Sequence, residues 1–146
     1  MKAMTAKRQI DAPVDRVFRA VAEVDEFKKA SPAIAAVEML SETRTGVGTR
    51  FRETRKMKGR EASTVLEITE YAPNERVRFV AESGGAIWDS LFTMRTAEGG
   101  TELALTMEAR PKTLVARLVT PLISGMVAKA VEGDMDAVKK YCESRG

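Results

Sequence analysis

The sequence predicts an α+β protein, in which a curved, seven-stranded antiparallel sheet carries two short helices and one long C-terminal helix. Two observations lead to this prediction. Six strand-like segments separated by glycine or proline turns follow one another between residues 34 and 110, which is typical of an antiparallel meander. After them, apolar residues recur at steps of three and four over residues 112–141, which indicates one long amphipathic helix.

The N-terminal residues indicate one strand followed by two short helices. Residues 2–10 are a weak first strand, and Pro13, whose ring favours the start of a helix, comes shortly after it. A second helical piece covers residues 26–30, and Pro32 ends the helical stretch because the residue before a proline disfavours the helical conformation. The apolar face of the first short helix consists of Val14, Val17, Phe18 and Val21.

The remaining six strands are defined by turns and by alternation. Polar and apolar residues alternate around Leu103, Leu105 and Met107, so one face of the sheet is expected to be buried and the other to be wet. The strands are expected at 34–41, 48–58, 60–71, 75–83, 86–96 and 101–110. The turns between them contain the segments 46–48, 58–59, 73–74, 84–85 and 99–100.

The long helix is the feature with the clearest consequence. Thirty residues at about 1.5 Å each span about 45 Å, more than a small core helix needs, and such a helix laid across a curved sheet can enclose a cavity. Pro121 is expected to divide it into a lead-in helix near 113–119 and a main helix from Pro121 onward. The division is either a bend that follows the sheet or a hinge that adjusts the cavity. The apolar positions of the helix are Leu114, Val115, Leu118, Val119, Leu122, Ile123, Met126, Val127, Ala130 and Val131.

Composition excludes several classes of function. The chain has no histidine and one cysteine, Cys142, which excludes catalysis by Ser-His-Asp or Cys-His groups, histidine-ligated metals and an internal disulfide. A glycine-rich phosphate loop is also missing, so we expect no cofactor and no metal. No uninterrupted apolar run reaches the ~20 residues of a membrane span, so no stable membrane insertion is expected. The N-terminus lacks the apolar region of a secretory signal, and the expected location is the cytoplasm.

Four segments carry a resemblance to a known family. They are residues 10–18 (IDAPVDRVF), 46–49 (GVGT), 67–76 (EITEYAPNER) and 99–103 (GGTEL). Together with the order of the elements, they resemble the helix-grip superfamily, which comprises the START domains, the birch-pollen-allergen group and the polyketide cyclase/dehydrase and lipid-transport proteins. The resemblance implies one helix-grip domain over residues 1–146. It leaves the activity open, because transporters, cyclases, co-chaperones and hormone receptors share this fold.

Strand parity predicts which residues face the interior. Several of the inward positions carry small side chains, namely Thr64, Ala81 and Ser90 and, by the same parity, Ala62 and Ala109. Small side chains under a long helix either leave a ligand cavity or let the helix approach the sheet closely. The predicted ligand-cavity residues are Phe51, Glu53, Arg55, Thr64, Leu66, Phe79, Ala81, Trp88, Ser90, Phe92, Leu105 and Met107 on the strands, with Leu118, Leu122 and Met126 on the helix.

Glu53 and Arg55 are the most informative polar residues of this set. They lie two residues apart on one strand face, and inward charges are costly unless they are paired or solvated. As a pair they could orient a ligand carboxylate, hydroxyl or carbonyl group. Alternatively, they lie at the wet mouth of the cavity or a bulge turns them outward. Trp88, the only tryptophan, either stacks on a flat ligand or packs in the core.

The strand that carries Glu53 and Arg55 is basic on its opposite face, which raises the question of nucleic-acid binding. Glu61 and Glu67 on the next strand can pair with these cations, and no aromatic residue lies among them. We therefore expect a partly paired, solvated face and no nucleic-acid partner. The basic residues are Arg50, Arg52, Lys56, Lys58 and Arg60.

Three functional hypotheses follow from the sequence. The first is binding of a small hydrophobic molecule, such as a lipid, isoprenoid, quinone or polyketide-like compound, in a cavity between the sheet and the long helix. The second is a polyketide cyclase or dehydratase that uses the same cavity, with a carboxylate or arginine as acid or base. The third is a protein-interaction module, such as a co-chaperone or a toxin-like regulator, which would have a filled interior and an exposed apolar patch. No residue is assigned a catalytic role.

Overall fold

A computed structural model describes residues 3–57 and 59–144 and confirms the predicted α+β architecture. The elements are β1 (Met4–Ile10), α1 (Val14–Ala22), α2 (Val24–Ala30), β2 (Ile34–Met39), β3 (Arg50–Met57), β4 (Arg60–Ala72), β5 (Arg76–Ser83), β6 (Ala86–Ala97), β7 (Gly100–Pro111) and α3 (Leu114–Ser144). The seven strands form one antiparallel sheet in the order β1-β7-β6-β5-β4-β3-β2. The predicted bounds differ from these by a few residues, and position 58 of the predicted third strand lies outside the described residues.

Tight turns set the register of the sheet. The turn between β4 and β5 contains Asn74 in the left-handed backbone region, at φ 65°. Gly85, between β5 and β6, has φ +76°, and a β-carbon there would lie 2.8 Å from the Thr113 hydroxyl. Glycine is therefore required at this turn both for its backbone conformation and for its close approach to the start of α3.

The packed core occupies one end of the concave face of the sheet. There, Val17 and Val21 of α1 and Leu103 of β7 are fully buried among residues from the C-terminal half of α3. The α3 residues that face this core recur at helical spacing and are Val131, Met135, Val138 and Cys142. The C-terminal half of α3 is thus an ordinary core helix.

The N-terminal half of α3 packs differently. The helix begins with the Thr113 hydroxyl accepting a hydrogen bond from the Ala116 amide at 3.1 Å, as helix-capping threonines do. It then runs without interruption for 31 residues through Pro121. The predicted division at Pro121 is therefore wrong, since Thr113 rather than Thr120 caps the helix and the Thr120 hydroxyl donates to the Ala116 carbonyl within it.

By length and composition alone, α3 could cross a membrane, although its sequence contains no uninterrupted apolar run of ~20 residues. The core helix of a globular protein can pass the same test when it is mostly buried. Most of the apolar stretch of α3 is not buried, and several of its large apolar side chains face solvent.

Candidate functional site

A cavity of about 400 Å³ lies between the concave face of the sheet and α3. Its walls are mainly apolar and come from five consecutive strands, β3 to β7, and from two of the helices, α2 and α3. Thirteen of the residues expected at a ligand cavity line it, namely Phe51, Glu53, Arg55, Thr64, Leu66, Phe79, Ala81, Trp88, Ser90, Phe92, Leu105, Met107 and Met126.

Sheet register explains why the strand residues meet. Phe51 is the cross-strand partner of Leu66, Leu66 of Ala81, and Ala81 of Trp88. This row of neighbouring side chains crosses four strands on one face, as the two-residue period of a strand requires. Because Ala81 is the small member of the row, space remains above it.

The helical wall differs from the prediction. Leu118 and Leu122 do not line the cavity, because they face solvent with 67% and 81% of their surface exposed. The apolar stripe of α3 in fact covers two faces of the helix, and periodicity does not distinguish the inward face from the outward one. The inward residues of α3 that the prediction missed are Ala116, Val119, Thr120, Ile123, Val127, Ala130, Val131 and Asp134.

Smaller differences concern the rim and the sheet. Phe27 of α2 and the residues of the β5–β6 turn also line the cavity, whereas Ala62 and Ala109 do not. Ala62 is exposed on β4 and Ala109 is buried on β7. The signal that could have selected the correct face of α3 is the small size of Ala116, Thr120 and Ala130, which make room at the wall.

An aromatic cluster forms the floor of the cavity. The ring of Phe79 contacts Phe51 and Phe92 edge to face, each with ring centres 6.1 Å apart, and Phe27 contacts Phe92 at 6.2 Å. Such contacts hold the rings rigidly. The half-buried Trp88 donates its indole N–H to the Ser83 carbonyl at 3.3 Å, which fixes the ring along the cavity wall.

The polar end of the cavity is an ion-pair cluster of Arg55, Glu53 and Asp134. Arg55 donates to both oxygens of Asp134, with Nη1 at 3.0 Å and Nη2 at 2.9 Å, and its Nε donates to Glu53 Oε2 at 3.1 Å. The side chains of Arg55, Glu53 and Asp134 are only 20%, 9% and 15% exposed. Pairing of Glu53 with Arg55 was one of the alternatives left open by the sequence, whereas Asp134, the second partner of Arg55, was not predicted.

Arg55 keeps its positive charge in this cluster. Burial alone would lower the pKa of Arg55, but the charge and hydrogen bonds of Asp134, together with those of Glu53, outweigh it and raise the pKa above its usual value. One cation therefore faces two carboxylates. Within residues 3–57 and 59–144, no group of three or more acidic or cysteine side chains is placed to hold a metal ion.

The cluster also joins the sheet to the long helix. Arg55 is on β3 and Asp134 is on α3, and Asp134 Oδ1 additionally accepts a hydrogen bond from the Ser31 hydroxyl at 3.3 Å. A second, smaller cavity of about 340 Å³ shares Arg55, Ala130 and Asp134 with the first. The Arg55–Asp134 salt bridge therefore forms the wall between the two cavities.

The basic residues of β3 lie away from this site. Arg50 is 3.6 Å from Glu67 on the neighbouring strand, and Arg52 pairs with Glu38. Both pairs are exposed on the outer face of the sheet, as expected for a partly paired, solvated surface. Lys58 lies outside the described residues.

Comparison with known proteins points to one family. The family model described as polyketide cyclase/dehydrase and lipid transport matches residues 1–143. An uncharacterised 17.2 kDa protein of Streptomyces lincolnensis is 24% identical over 139 residues, which are 94% of this chain and 87% of that protein.

Several solved structures share the fold of this chain. The structure of TTHA0849 from Thermus thermophilus superposes with a TM-score of 0.80 at 20% identity over 99% of each chain. That of Ara h 8.0201 has a TM-score of 0.79 at 16% identity over 98% of each chain. The di-domain ARO/CYC StfQ from the steffimycin biosynthetic pathway has a TM-score of 0.80 at 11% identity, and the match covers 98% of this chain but 51% of StfQ.

We predict that Asp134→Asn lowers the free energy of unfolding by about 2–3 kcal/mol, because Arg55 loses its charged, bidentate partner in a largely buried position. The measurement is urea denaturation at constant m-value. Asp136→Asn is the matched control, since this carboxylate lies on the same helix as Asp134 and pairs with Arg8 of β1 but is 68% exposed, and the change should cost less than about 1 kcal/mol. Equal losses for the two variants would contradict a structural role for the Arg55–Asp134 pair.

Proposed function

The chain belongs to the polyketide cyclase/dehydrase and lipid transport family, and we propose that it binds a small hydrophobic molecule in the cavity between the sheet and α3. The ligand class comprises lipids, isoprenoids, quinones and polyketide-like compounds. The observation that carries the proposal is the mainly apolar cavity of about 400 Å³, a volume in the usual range for small-molecule sites.

The walls of the cavity suit a permissive apolar ligand. The aromatic floor is rigid, whereas the wall on α3 includes Met126, and Met107 faces it from β7. Methionine side chains adapt to irregular shapes because they are unbranched and polarizable. Most of the binding free energy would come from burial of apolar surface, at about 25 cal/mol per Å², and the ion-pair cluster would set the orientation of the ligand.

A specific observation also favours an enzyme of the cyclase or dehydratase type. The cluster of Arg55, Glu53 and Asp134 places a permanent cation and two carboxylates at one end of an apolar cavity. Such groups can polarise a carbonyl group and accept a proton from a substrate held beside them. Conversion of a bound poly-β-ketone into a cyclised product would distinguish this function from binding alone.

The hypothesis of a protein-interaction module receives mixed support. It requires a filled interior, which is at odds with the cavity, and an exposed apolar patch, which the outer side of α3 does provide. Ligand binding accounts for the cavity directly, and it therefore remains the proposed function.

We predict that at least one class of hydrophobic molecule raises the melting temperature and changes the fluorescence of Trp88. A ligand present at 100 times its Kd stabilises the folded state by about 2.7 kcal/mol. Ala81→Phe should weaken this ligand at least about tenfold, because Ala81 is buried against the cavity and the new ring would occupy it.

The matched control is Val80→Phe, which adds a ring of the same size to the same strand on its opposite face. It should leave ligand affinity unchanged. If no class of ligand shifts the melting temperature, or if Ala81→Phe and Val80→Phe bind the ligand equally well, the proposed cavity site is wrong.

A further inference from the structure

We infer that the ligand presents a neutral hydroxyl group to the ion-pair cluster; this inference rests on the proposed ligand-binding function. The starting point is Glu53, whose side chain is more than nine-tenths buried and lines the cavity. Its Oε2 accepts a hydrogen bond from Arg55, but no described residue donates to Oε1. Oε1 is not a fully buried atom, so it is open to the cavity, and a ligand that supplies a donor there makes a charge-assisted hydrogen bond in place of water.

The charge of the cluster decides which donor fits. Both oxygens of Asp134 are occupied by Arg55 and Ser31, so Asp134 has little left to offer a ligand. One guanidinium and two carboxylates leave a net charge of −1. A ligand carboxylate would add a second net negative charge in a site of low dielectric constant and would supply no donor.

Arg55 favours a hydroxyl over an ammonium group. A guanidinium has five N–H donors, and three of those in Arg55 are used by Glu53 and Asp134. The remaining two, one each on Nη1 and Nη2, need acceptors. A hydroxyl can donate to Glu53 and accept from Arg55 at once. An ammonium group is attracted by the net charge of the cluster, but it accepts nothing, so it leaves the two remaining donors of Arg55 facing a second cation.

The test compares three ligands that share one tail: 1-octanol, octanoate and octylamine at neutral pH. Trp88 is the only tryptophan and lines the cavity, so its fluorescence reports binding directly. We expect 1-octanol to bind at least about tenfold more tightly than either charged ligand. Octanoate would add a like charge to the cluster, and octylamine would leave two donors of Arg55 without acceptors, and we expect either effect to cost more than 1.4 kcal/mol, which corresponds to this tenfold difference.

Two variants locate the cause of the preference. Glu53→Gln makes the cluster neutral without changing its size, so octanoate should bind more tightly and the preference for 1-octanol should fall to less than about threefold. Glu67→Gln, which removes an exposed carboxylate on the outer face of β4, should keep the wild-type preference. Should Glu53→Gln fail to fold, the ranking of the three ligands on the wild-type protein decides alone.

The outcomes separate this inference from the proposed function. Tighter binding of octanoate or octylamine than of 1-octanol would overturn the hydroxyl preference and leave the cavity site standing. If none of the three ligands, nor naphthalene as a purely apolar probe, binds the protein, both the inference and the proposed function are overturned.

A separate observation concerns the outer side of α3, and from it we propose that this face docks on an anionic lipid bilayer. Six large apolar residues of α3 are exposed. Four of them lie wholly on that side and make up what we call the outer apolar face, namely Leu114, Val115, Leu118 and Leu122, whereas Val119 and Met126 lie at its edge and also line the cavity. Burial of such side chains away from water is favourable, and an exposed apolar cluster of this kind on one helix is typical of an interaction surface.

The charges around this face identify the partner. Residues 112–131 contain no acidic residue, and their three cations, Lys112, Arg117 and Lys129, flank the outer apolar face along the helix. Arg117 and Lys129 have no salt bridge within the described part of the chain, and Lys112 makes only an exposed one with Glu82 at 3.4 Å. An apolar helix face flanked by unpaired cations is the arrangement that binds an anionic membrane interface.

The same charges disfavour a second copy of the chain as the partner. In a symmetric dimer the outer apolar face would meet itself, so the cations of both copies would be brought together without any acidic partner on residues 112–131. An anionic bilayer would instead neutralise them. Docking in this way also places the wall of the cavity at the lipid surface, because the inward side of the same helix lines the cavity.

Co-sedimentation with vesicles tests this second proposal. We expect binding to vesicles of equal parts phosphatidylcholine and phosphatidylglycerol, weakening as salt is added, and little binding to pure phosphatidylcholine. Leu122→Glu should weaken vesicle binding at least about tenfold. Val47→Glu, which changes another exposed apolar residue, on the loop between β2 and β3, should bind as the wild type does.

Absence of binding to the anionic vesicles, or equal loss in both variants, would overturn the proposal. So would a stable dimer in solution that Leu122→Glu dissociates, since the outer apolar face would then be an interface between two copies of the chain.

Discussion

The salt bridge between Arg55 and Asp134 is the interaction on which the cavity depends. It connects β3 to α3 at the point where the packed half of the helix ends. On one side of it, Met135, Val138 and Cys142 pack into the core, and on the other side the helix passes over open space. The far end of the helix is held at the β5–β6 turn, where the Lys112 amide donates to the Gly85 carbonyl at 2.7 Å. A helix fixed at both ends encloses the cavity without filling it.

The composition of α3 follows from its two environments. Its N-terminal half is apolar on the inward side, which lines the cavity, and on the outward side, which faces solvent. A helix that only covered a core would be polar on the outside. Exposing the outer apolar face to water is unfavourable, and the fold itself does not require it. The cavity and the outer apolar face lie on opposite sides of α3. A ligand that moves from a membrane surface into the cavity would therefore have only this helix to pass.

The sequence predicts the inward-facing residues of the strands better than those of α3. In the strands, the two-residue period and the turns determined the inward face, so all the strand residues expected at the cavity lie there, Glu53 and Arg55 included. In α3 the same reasoning failed for Leu118 and Leu122, because apolar residues occupy both sides of the helix and the period does not choose between them. Asp134 was missed because it lies 79 residues from Arg55, and only the folded chain brings the two charges together.

The most direct test of the account is to locate a bound molecule by intermolecular NOEs between 1-octanol and the methyl groups of the labelled protein. The account predicts contacts with Ile123 and Val127 on the inner side of α3 and with Met107 on the facing strand. It predicts none with Leu118 or Leu122, which face away from the cavity. Contacts confined to Leu118 and Leu122 would show that the outer apolar face, and not the cavity, takes the hydrophobic molecule, and would contradict the central claim.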